Sequence, residues 1–348
     1  MKIIIDKGIK SFEKIISVLD GFIGIELCFL NTEEIIHKNI EDAEILFIRS
    51  TTIIDKQLIE NTKIKVVGSA TSGTDHINKE YLGRKSIKWF YAGGSNALSV
   101  VNYVMSAINH LIEIGVMNQS NTVGIIGYGN IGKRLTNMLE YFSIPSIAHD
   151  PFLDFEFLVD IEAIKNCDLI SLHVPLTTEG MHPTYNMINE AFINDAQNKI
   201  LINTSRGGIV DEDCLIKSNL KYISDVWMNE PKPFREIVDG AIIATPHIAG
   251  HSQSGKINGT LILIKYLQDY LGLDISVKEK NLLKMKEFIK TIKLTGEDGL
   301  DIFKAEYDIY KESVKFKHAY LNEDEDEDKV LIYKNQRSQH SSRRDIKI

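Results

Sequence analysis

Thr122-Val123-Gly124-Ile125-Ile126-Gly127-Tyr128-Gly129-Asn130-Ile131-Gly132 is the stretch on which the fold turns. Its apolar first half reads as a strand buried on both faces, as in a parallel sheet. It runs straight into Gly127, Gly129 and Gly132, spaced G-x-G-x-x-G, with a helix expected from about Asn130. The first glycine permits a tight turn, the second lets backbone approach a pyrophosphate, and the third lets helix and strand pack closely. The helix start at Asn130 and Ile131 adds N–H donors and partial positive charge for the phosphates. Asp150 closes the next apolar run about 20 residues on, where a carboxylate accepts ribose hydroxyls and repels a 2′-phosphate, so NAD is favoured over NADP. Lys133 and Arg134 follow in the first helical turns and are read as solvent-facing.

Working outward, apolar runs recur at 144–148, 169–174, 200–202, 222–226 and 242–244, separated by helix-length spacers. Six such strands suit a doubly wound Rossmann domain. Upstream, short apolar runs at 3–5, 45–48 and 66–67 alternate with amphipathic stretches and predict a second parallel α/β domain. Two of those runs end in small or polar residues, Arg49-Ser50-Thr51-Thr52 and Gly68-Ser69-Ala70-Thr71-Ser72-Gly73. Ligands collect beyond the carboxyl ends of parallel strands, so Arg49, Ser50 and Thr71 become candidate substrate contacts. Arg49 in particular suits phosphate oxygens. His76 is read as a capping or core residue.

A helix is expected over 97–114, apolar on more than one face and so buried, as a crossover packed between two domains. Another over 255–271 returns the chain to the first domain. The expected fold is therefore α/β with two doubly wound domains: a flavodoxin-like substrate domain over 1–95 and 252–280, and a Rossmann NAD domain over 96–251. Residues 281–348 form a small C-terminal extension. Phe303, Tyr307, Tyr310 and Val314 recur there at helical spacing as one apolar stripe, while the acidic run at 323–328 reads as solvated and poorly ordered.

The chain has 348 residues, 43% hydrophobic and 25% charged, which suits two soluble domains with an appendage. A net charge of -8 argues against nucleic acid as the main partner. Cys28, Cys167 and Cys214 show neither disulfide nor metal spacing, so no metal is expected and a reducing cytoplasm is the expected setting. The opening run is too short for a signal sequence, and no segment approaches the roughly 20 apolar residues of a membrane span.

Three later segments carry the chemistry. Asn203-Thr204-Ser205-Arg206-Gly207-Gly208, Asp225-Val226-Trp227-Met228-Asn229-Glu230-Pro231 and Thr245-Pro246-His247-Ile248-Ala249-Gly250 offer a cation, a carboxylate and an imidazole in turn. A guanidinium can hold a substrate carboxylate, a histidine can take a hydroxyl proton, and a glutamate can orient that histidine. Oxidation of a hydroxy acid needs those three roles.

On these segments, with Ile48-Arg49-Ser50, the 68–77 run and Gly94-Ser95-Asn96-Ala97, the chain resembles the D-isomer-specific 2-hydroxyacid dehydrogenases from residue 1 to about 270. The resemblance implies that Arg206 binds the substrate carboxylate, His247 is the acid/base and Glu230 its partner. It implies that Ser50 and Thr71 touch substrate, and that Asp150, Asp225 and Gly250 line the NAD site beside Thr204 and Ser205. His251 stands where related enzymes usually carry a substrate-contacting tyrosine. The branch implied acts on 4-phospho-D-erythronate on the way to pyridoxal 5′-phosphate and is homodimeric through its C-terminal extension. The alternatives are another D-2-hydroxy acid, such as 3-phosphoglycerate or glycerate, or a non-catalytic NAD(H)-sensing protein.

Overall fold

The computed structural model describes residues 1–17, 24–196, 198–272, 289–340 and 343–348. They form two compact units: Met1–Asn96 with Ser252–Thr291, and Ala97–His251 with Ile292–Ile348. The domain limit expected near residue 280 lies outside the described residues.

The first unit is built on five parallel strands, β1 (Lys2–Asp6), β2 (Glu26–Leu30), β3 (Ile45–Ile48), β4 (Val66–Ser69) and β5 (Lys88–Tyr91). Their order, β2-β1-β3-β4-β5, is the flavodoxin-like one. β3 and β4 are buried throughout and β1 nearly so, which is why they read as continuous apolar runs. Alternate residues serve opposite faces. Ile3, Ile5 and Phe47 pack with Leu263 and Leu267 of helix Gln253–Leu271, whereas Ile4, Leu46 and Ile48 pack with Val67 and Leu82. That helix starts at a Ser252 cap, whose Oγ accepts from Gly255 N at 2.9 Å, and stops at Gly272 with φ 63°.

The second unit holds six parallel strands: β6 (Val123–Ile126), β7 (Ser146–His149), β8 (Leu169–Leu172), β9 (Ile200–Asn203), β10 (Lys221–Ser224) and β11 (Ile243–Ala244). They are ordered β11-β10-β9-β8-β6-β7. A single parallel bridge from Ala148 to Leu158 is what remains of a further strand beyond β7. Counting it, the order is the Rossmann 3-2-1-4-5-6 with β11 added as a seventh strand beyond β10, and the topological switch point lies between β6 and β8. Helix Ala97–Glu113 is buried almost throughout, and the cover found within its own unit is helix Asn130–Tyr141 and the C-terminal segment.

That C-terminal segment differs from the sequence expectation in two ways. The apolar stripe is not one helix face, because the chain leaves helix Asp301–Glu306 at an extended Tyr307 and restarts in helix Ile309–Leu321. Phe303 and Tyr307 are buried, whereas Tyr310 and Val314 remain 44% and 48% exposed. The acidic run is not simply a solvated tail either. Asp326, Glu327 and Asp328 form the first turn of helix Asp326–Gln339, where unsatisfied N–H groups favour negative charge, and Tyr333 of that helix is buried. Strands β12 (Thr291–Lys293) and β13 (Asp345–Lys347) make a small third sheet. The Asn102 side chain imitates a strand neighbour to β13, donating to Ile346 O at 2.9 Å and accepting from Ile346 N at 2.6 Å.

Candidate active site

The glycine loop sits at the switch point with each glycine constrained differently. Gly127 has φ 97°, and a Cβ there would collide with the His173 carbonyl beyond β8. A Cβ on Gly132 would collide with the Gly127 carbonyl, so helix Asn130–Tyr141 comes down directly on the turn. Among the described residues nothing lies within 4 Å of where a Gly129 Cβ would be and no side chain caps the helix there, leaving first-turn backbone donors for a ligand's phosphates. Asp150 accepts from Tyr128 N at 2.9 Å through one oxygen and from Phe152 N at 3.1 Å through the other, fixing the glycine turn to the end of β7. Lys133 lies over the rings of Tyr128 and Phe155, and Arg134 is exposed and bonded to Asn130 O.

Beyond β8 and β9, Ser205 Oγ donates to Leu172 O at 2.7 Å, while the buried Thr204 Oγ1 and His173 Nδ1 have no partner among the described residues. Burial pushes His173 down to about 3, so the ring is neutral. An open glycine cradle and orphaned polar atoms beyond β8 and β9 fit a dinucleotide, and the residues that could hold one are Gly127, Gly129, Asn130, Ile131, Gly132, Asp150, Thr204 and Ser205.

The three reactive segments are the loops after β9, β10 and β11. Arg206 is held at its base, its carbonyl accepting from Asn203 Nδ2 at 3.0 Å and its Nη1 donating to Ser205 O at 2.7 Å. A Cβ on Gly207 would collide with the Trp227 carbonyl, so this loop packs against the turn that carries Glu230. Glu230 Oε1 accepts from Trp227 N at 2.9 Å, and Oε2 meets His247 Nδ1 at 2.7 Å. Both side chains keep about a quarter of their surface, 23% and 27%.

Burial pushes the Glu230 carboxyl up. The hydrogen bond and charge of His247, the Trp227 amide and the Arg337 charge more than offset this, leaving it below its ordinary value.

His247 has φ 58°, in the left-handed region that few residues other than glycine adopt, and the loop around it is held at several points. Asp225, 1% exposed, does most of that holding. Its carbonyl accepts from His247 N at 2.7 Å, Oδ1 from Ile248 N at 2.7 Å and Thr245 Oγ1 at 2.6 Å, and Oδ2 from Ala249 N at 2.8 Å. Burial raises the Asp225 carboxyl, opposed by the His247 charge and these donors. The structure thus seats Asp225 beneath the His247 loop. Tyr103 Oη meets Thr245 Oγ1 at 2.6 Å, and Trp227 Nε1 donates to Thr245 O at 2.9 Å, closing the network.

In the first unit, Arg49 Nε pairs with the buried Asp6 at 3.1 Å and Nη2 donates to Thr32 Oγ1 at 2.6 Å. Ser50 is exposed, and Thr71 Oγ1 meets Ser69 Oγ at 2.8 Å. Ser69 also bonds the buried His76 at 2.9 Å, which makes that histidine part of the core. In the second unit His251, which follows Gly250, meets His340 Nε2 through Nδ1 at 3.0 Å.

Several neighbours of the site were not singled out from sequence. Glu212, 5% exposed, accepts from Met228 N at 2.9 Å, while its Oε2 is orphaned among the described residues. Burial first, then the Glu230 charge, raises it to about 7. Helix Asp326–Gln339 brings the Tyr333 hydroxyl and the Arg337 charge to bear on Glu230, and His340 follows at its end. Lys232–Asp326 at 2.7 Å and Tyr320 Oη to Pro233 O at 2.6 Å tie this segment to the Glu230 turn. Glu212 had a cue in its place beside the Arg206 loop; Tyr333 ends a short apolar run, Val330–Tyr333, and Arg337 and His340 follow in polar sequence, with nothing local to tie them to the site.

Residues 108–249 match the family model described as "D-isomer specific 2-hydroxyacid dehydrogenase, NAD binding domain". The chain belongs to the D-isomer specific 2-hydroxyacid dehydrogenases. It is 32% identical over 337 residues to the erythronate-4-phosphate dehydrogenase of Marinomonas sp. (strain MWYL1), covering 92% of this chain and 87% of that protein. To the erythronate-4-phosphate dehydrogenase of Wigglesworthia glossinidia brevipalpis it is 37% identical over 287 residues, covering 78% and 74%. Among solved structures it is similar to the NAD+-bound 3-phosphoglycerate dehydrogenase of Entamoeba histolytica. The TM-score is 0.65 at 26% identity, over 80% of this chain and 97% of that one.

Proposed function

We propose that this protein oxidises 4-phospho-D-erythronate to 3-hydroxy-2-oxo-4-phosphooxybutanoate, using NAD. The observation that carries the reading is the 2.7 Å contact between His247 Nδ1 and Glu230 Oε2. With the Nδ1 proton donated to Glu230, the lone pair of Nε2 is left to take the C2 hydroxyl proton, and the carboxylate stabilises the imidazolium that forms. Arg206 holds the substrate carboxylate. Bound NAD supplies the acceptor for the C2 hydride; the glycine turn, Asp150, Thr204, Ser205 and Gly250 hold it, and Asp225 keeps the His247 loop in place beneath. Ser50, Thr71, Arg49 and His251 are the proposed substrate contacts. The names of the Marinomonas and Wigglesworthia relatives support the substrate.

NADH formation with 4-phospho-D-erythronate, 3-phosphoglycerate and D-glycerate tests it. The four-carbon phosphate is expected to give the highest kcat/KM, and equal or better turnover of 3-phosphoglycerate overturns the choice. The likeness to the Entamoeba enzyme is what favours that second substrate.

A homodimer in the cytoplasm completes the proposal. Ile114, Tyr310 and Val314 form an exposed apolar patch around the stacked rings of His110 and Tyr310, and among the described residues no helix is long and apolar enough to cross a membrane. Light scattering on Val314→Glu is expected to show weakened dimers; a monomeric wild type overturns the dimer.

A further inference from the structure

One cluster of cations in the first unit lacks the carboxylate partners that several other surface lysines have. Lys2, Lys65 and Lys165 each sit on a carboxylate at 2.7–2.9 Å. Lys256, in the first turn of helix Gln253–Leu271, instead feels the charges of Lys10 and Arg49, both positive. Burial first, and then those two charges, pull its ammonium below the ordinary lysine value, although the residue as a whole is exposed.

Backbone contacts fix the cluster. Thr260, one turn beyond Lys256, donates to Lys10 O at 2.7 Å and reaches Lys256 O at 3.4 Å, joining the two lysines' main chains. On the other side the Arg49 guanidinium lies flat against Gly8, two residues before Lys10, where any Cβ would collide with it. Gly8 N in turn donates to Asp6 Oδ1 at 2.7 Å, so the Asp6–Lys10 turn wraps the guanidinium. Like charges repel, and among the described residues Arg49 alone of the three has an ion pair, on the buried Asp6, so the cluster keeps a net charge of two that an anion would offset. A phosphate monoester carries about −1.5 to −2 charges at pH 7 and three acceptor oxygens, which matches that deficit.

We propose that Lys256, Lys10 and Arg49 form the subsite for the substrate's phosphate, with Lys256 its principal point charge. Asp6 and Thr32 orient the guanidinium while its remaining N–H groups serve the anion. The assignment rests on the phosphorylated-acid reading above and deepens it by naming the cations of the first unit that take the phosphate. Lys10 and Lys256 thereby become specificity-determining residues.

Two measurements on the full-length chain separate the subsite from the wider reading. In titration calorimetry with inorganic phosphate, wild type is expected to bind and Lys256→Gln to bind at least about tenfold more weakly. Lys56→Gln, at an exposed lysine elsewhere on the same unit, serves as the control and should match wild type. In turnover assays, the ratio of kcat/KM for 4-phospho-D-erythronate to that for D-erythronate is expected to fall at least about tenfold in Lys256→Gln. Equal phosphate binding by wild type and Lys256→Gln, or no binding by wild type, overturns the subsite. Weakened phosphate binding without any turnover of 4-phospho-D-erythronate by wild type supports the subsite and overturns the substrate assignment instead.

Discussion

Asp225 and Arg343 grip the same short peptide from opposite partners. Asp225 accepts from the N–H groups of Ile248 and Ala249, and the Arg343 guanidinium donates to the carbonyls of the same two residues. Both side chains are 1% exposed. The backbone that carries His247 at positive φ is thus held by a buried anion contributed after β10 and a buried cation contributed by the last residues of the chain. Arg343 also stacks on Tyr307, 4.2 Å from the ring centre.

Asp225→Asn tests that grip. An amide presents only one acceptor oxygen to three donors and turns an N–H group towards them. The variant is expected to lose about 2–4 kcal/mol of stability in urea unfolding and about tenfold or more in kcat. An unchanged kcat would show that the loop holds itself.

The raised value of Glu212 makes a signed prediction for stability. A carboxyl with a folded pKa near 7 against an ordinary 4.5 binds its proton more tightly in the folded state. Its favourable contribution is therefore complete below pH 4.5 and is lost as pH rises through about 7, by up to about 3 kcal/mol for a shift of this size. Glu212→Gln should flatten this loss, so that its stability relative to wild type is greater at pH 8 than at pH 5. Parallel pH–stability curves would contradict it.

Glu230 works in the opposite sense. Its folded value is lowered, so the ionised form that steadies His247 persists as pH falls through the ordinary carboxylate range. Arg337 contributes to that lowering. Arg337→Gln is expected to move the acid limb of the kcat/KM profile to higher pH while the melting temperature stays within about 2 °C, since a half-buried helical residue away from the core costs little. Superimposable profiles would remove the tail helix from any part in positioning the carboxylate.

Asp150 is the residue we propose to set cofactor choice. Asp150→Ser removes the charge that repels a 2′-phosphate while keeping a short polar side chain, and should lower the NAD over NADP preference in kcat/KM by about tenfold or more. Loss of activity with both cofactors alike would instead reflect the carboxylate's two bonds to Tyr128 N and Phe152 N.

What could be read from the sequence was whatever depends on local pattern. The apolar strands of both sheets, the Gly127–Gly132 turn and the order of Arg206, Glu230 and His247 each follow from burial on two faces or from chemistry at strand ends. Asp225 was placed at the site, but the number of donors it satisfies depends on how the Thr245–Ala249 loop closes over it, which no spacing encodes. The tail hid most. Tyr333 is the one fully buried residue of its helix, and the run Val330–Tyr333 that holds it is too short to mark a helix face, so nothing in it announces the contact with the Glu230 turn. The stripe through Phe303 and Val314 looked continuous because residue spacing ignores the break that Tyr307 and Asp308 make.

The most direct test of the central claim compares wild type with His247→Asn in the reduction of NAD by 4-phospho-D-erythronate. With proton removal by His247 supported through Glu230, the variant should lose at least about 10³-fold in kcat while its NADH dissociation constant, read by fluorescence, stays within about threefold. A His247→Asn enzyme that keeps wild-type kcat would contradict the mechanism.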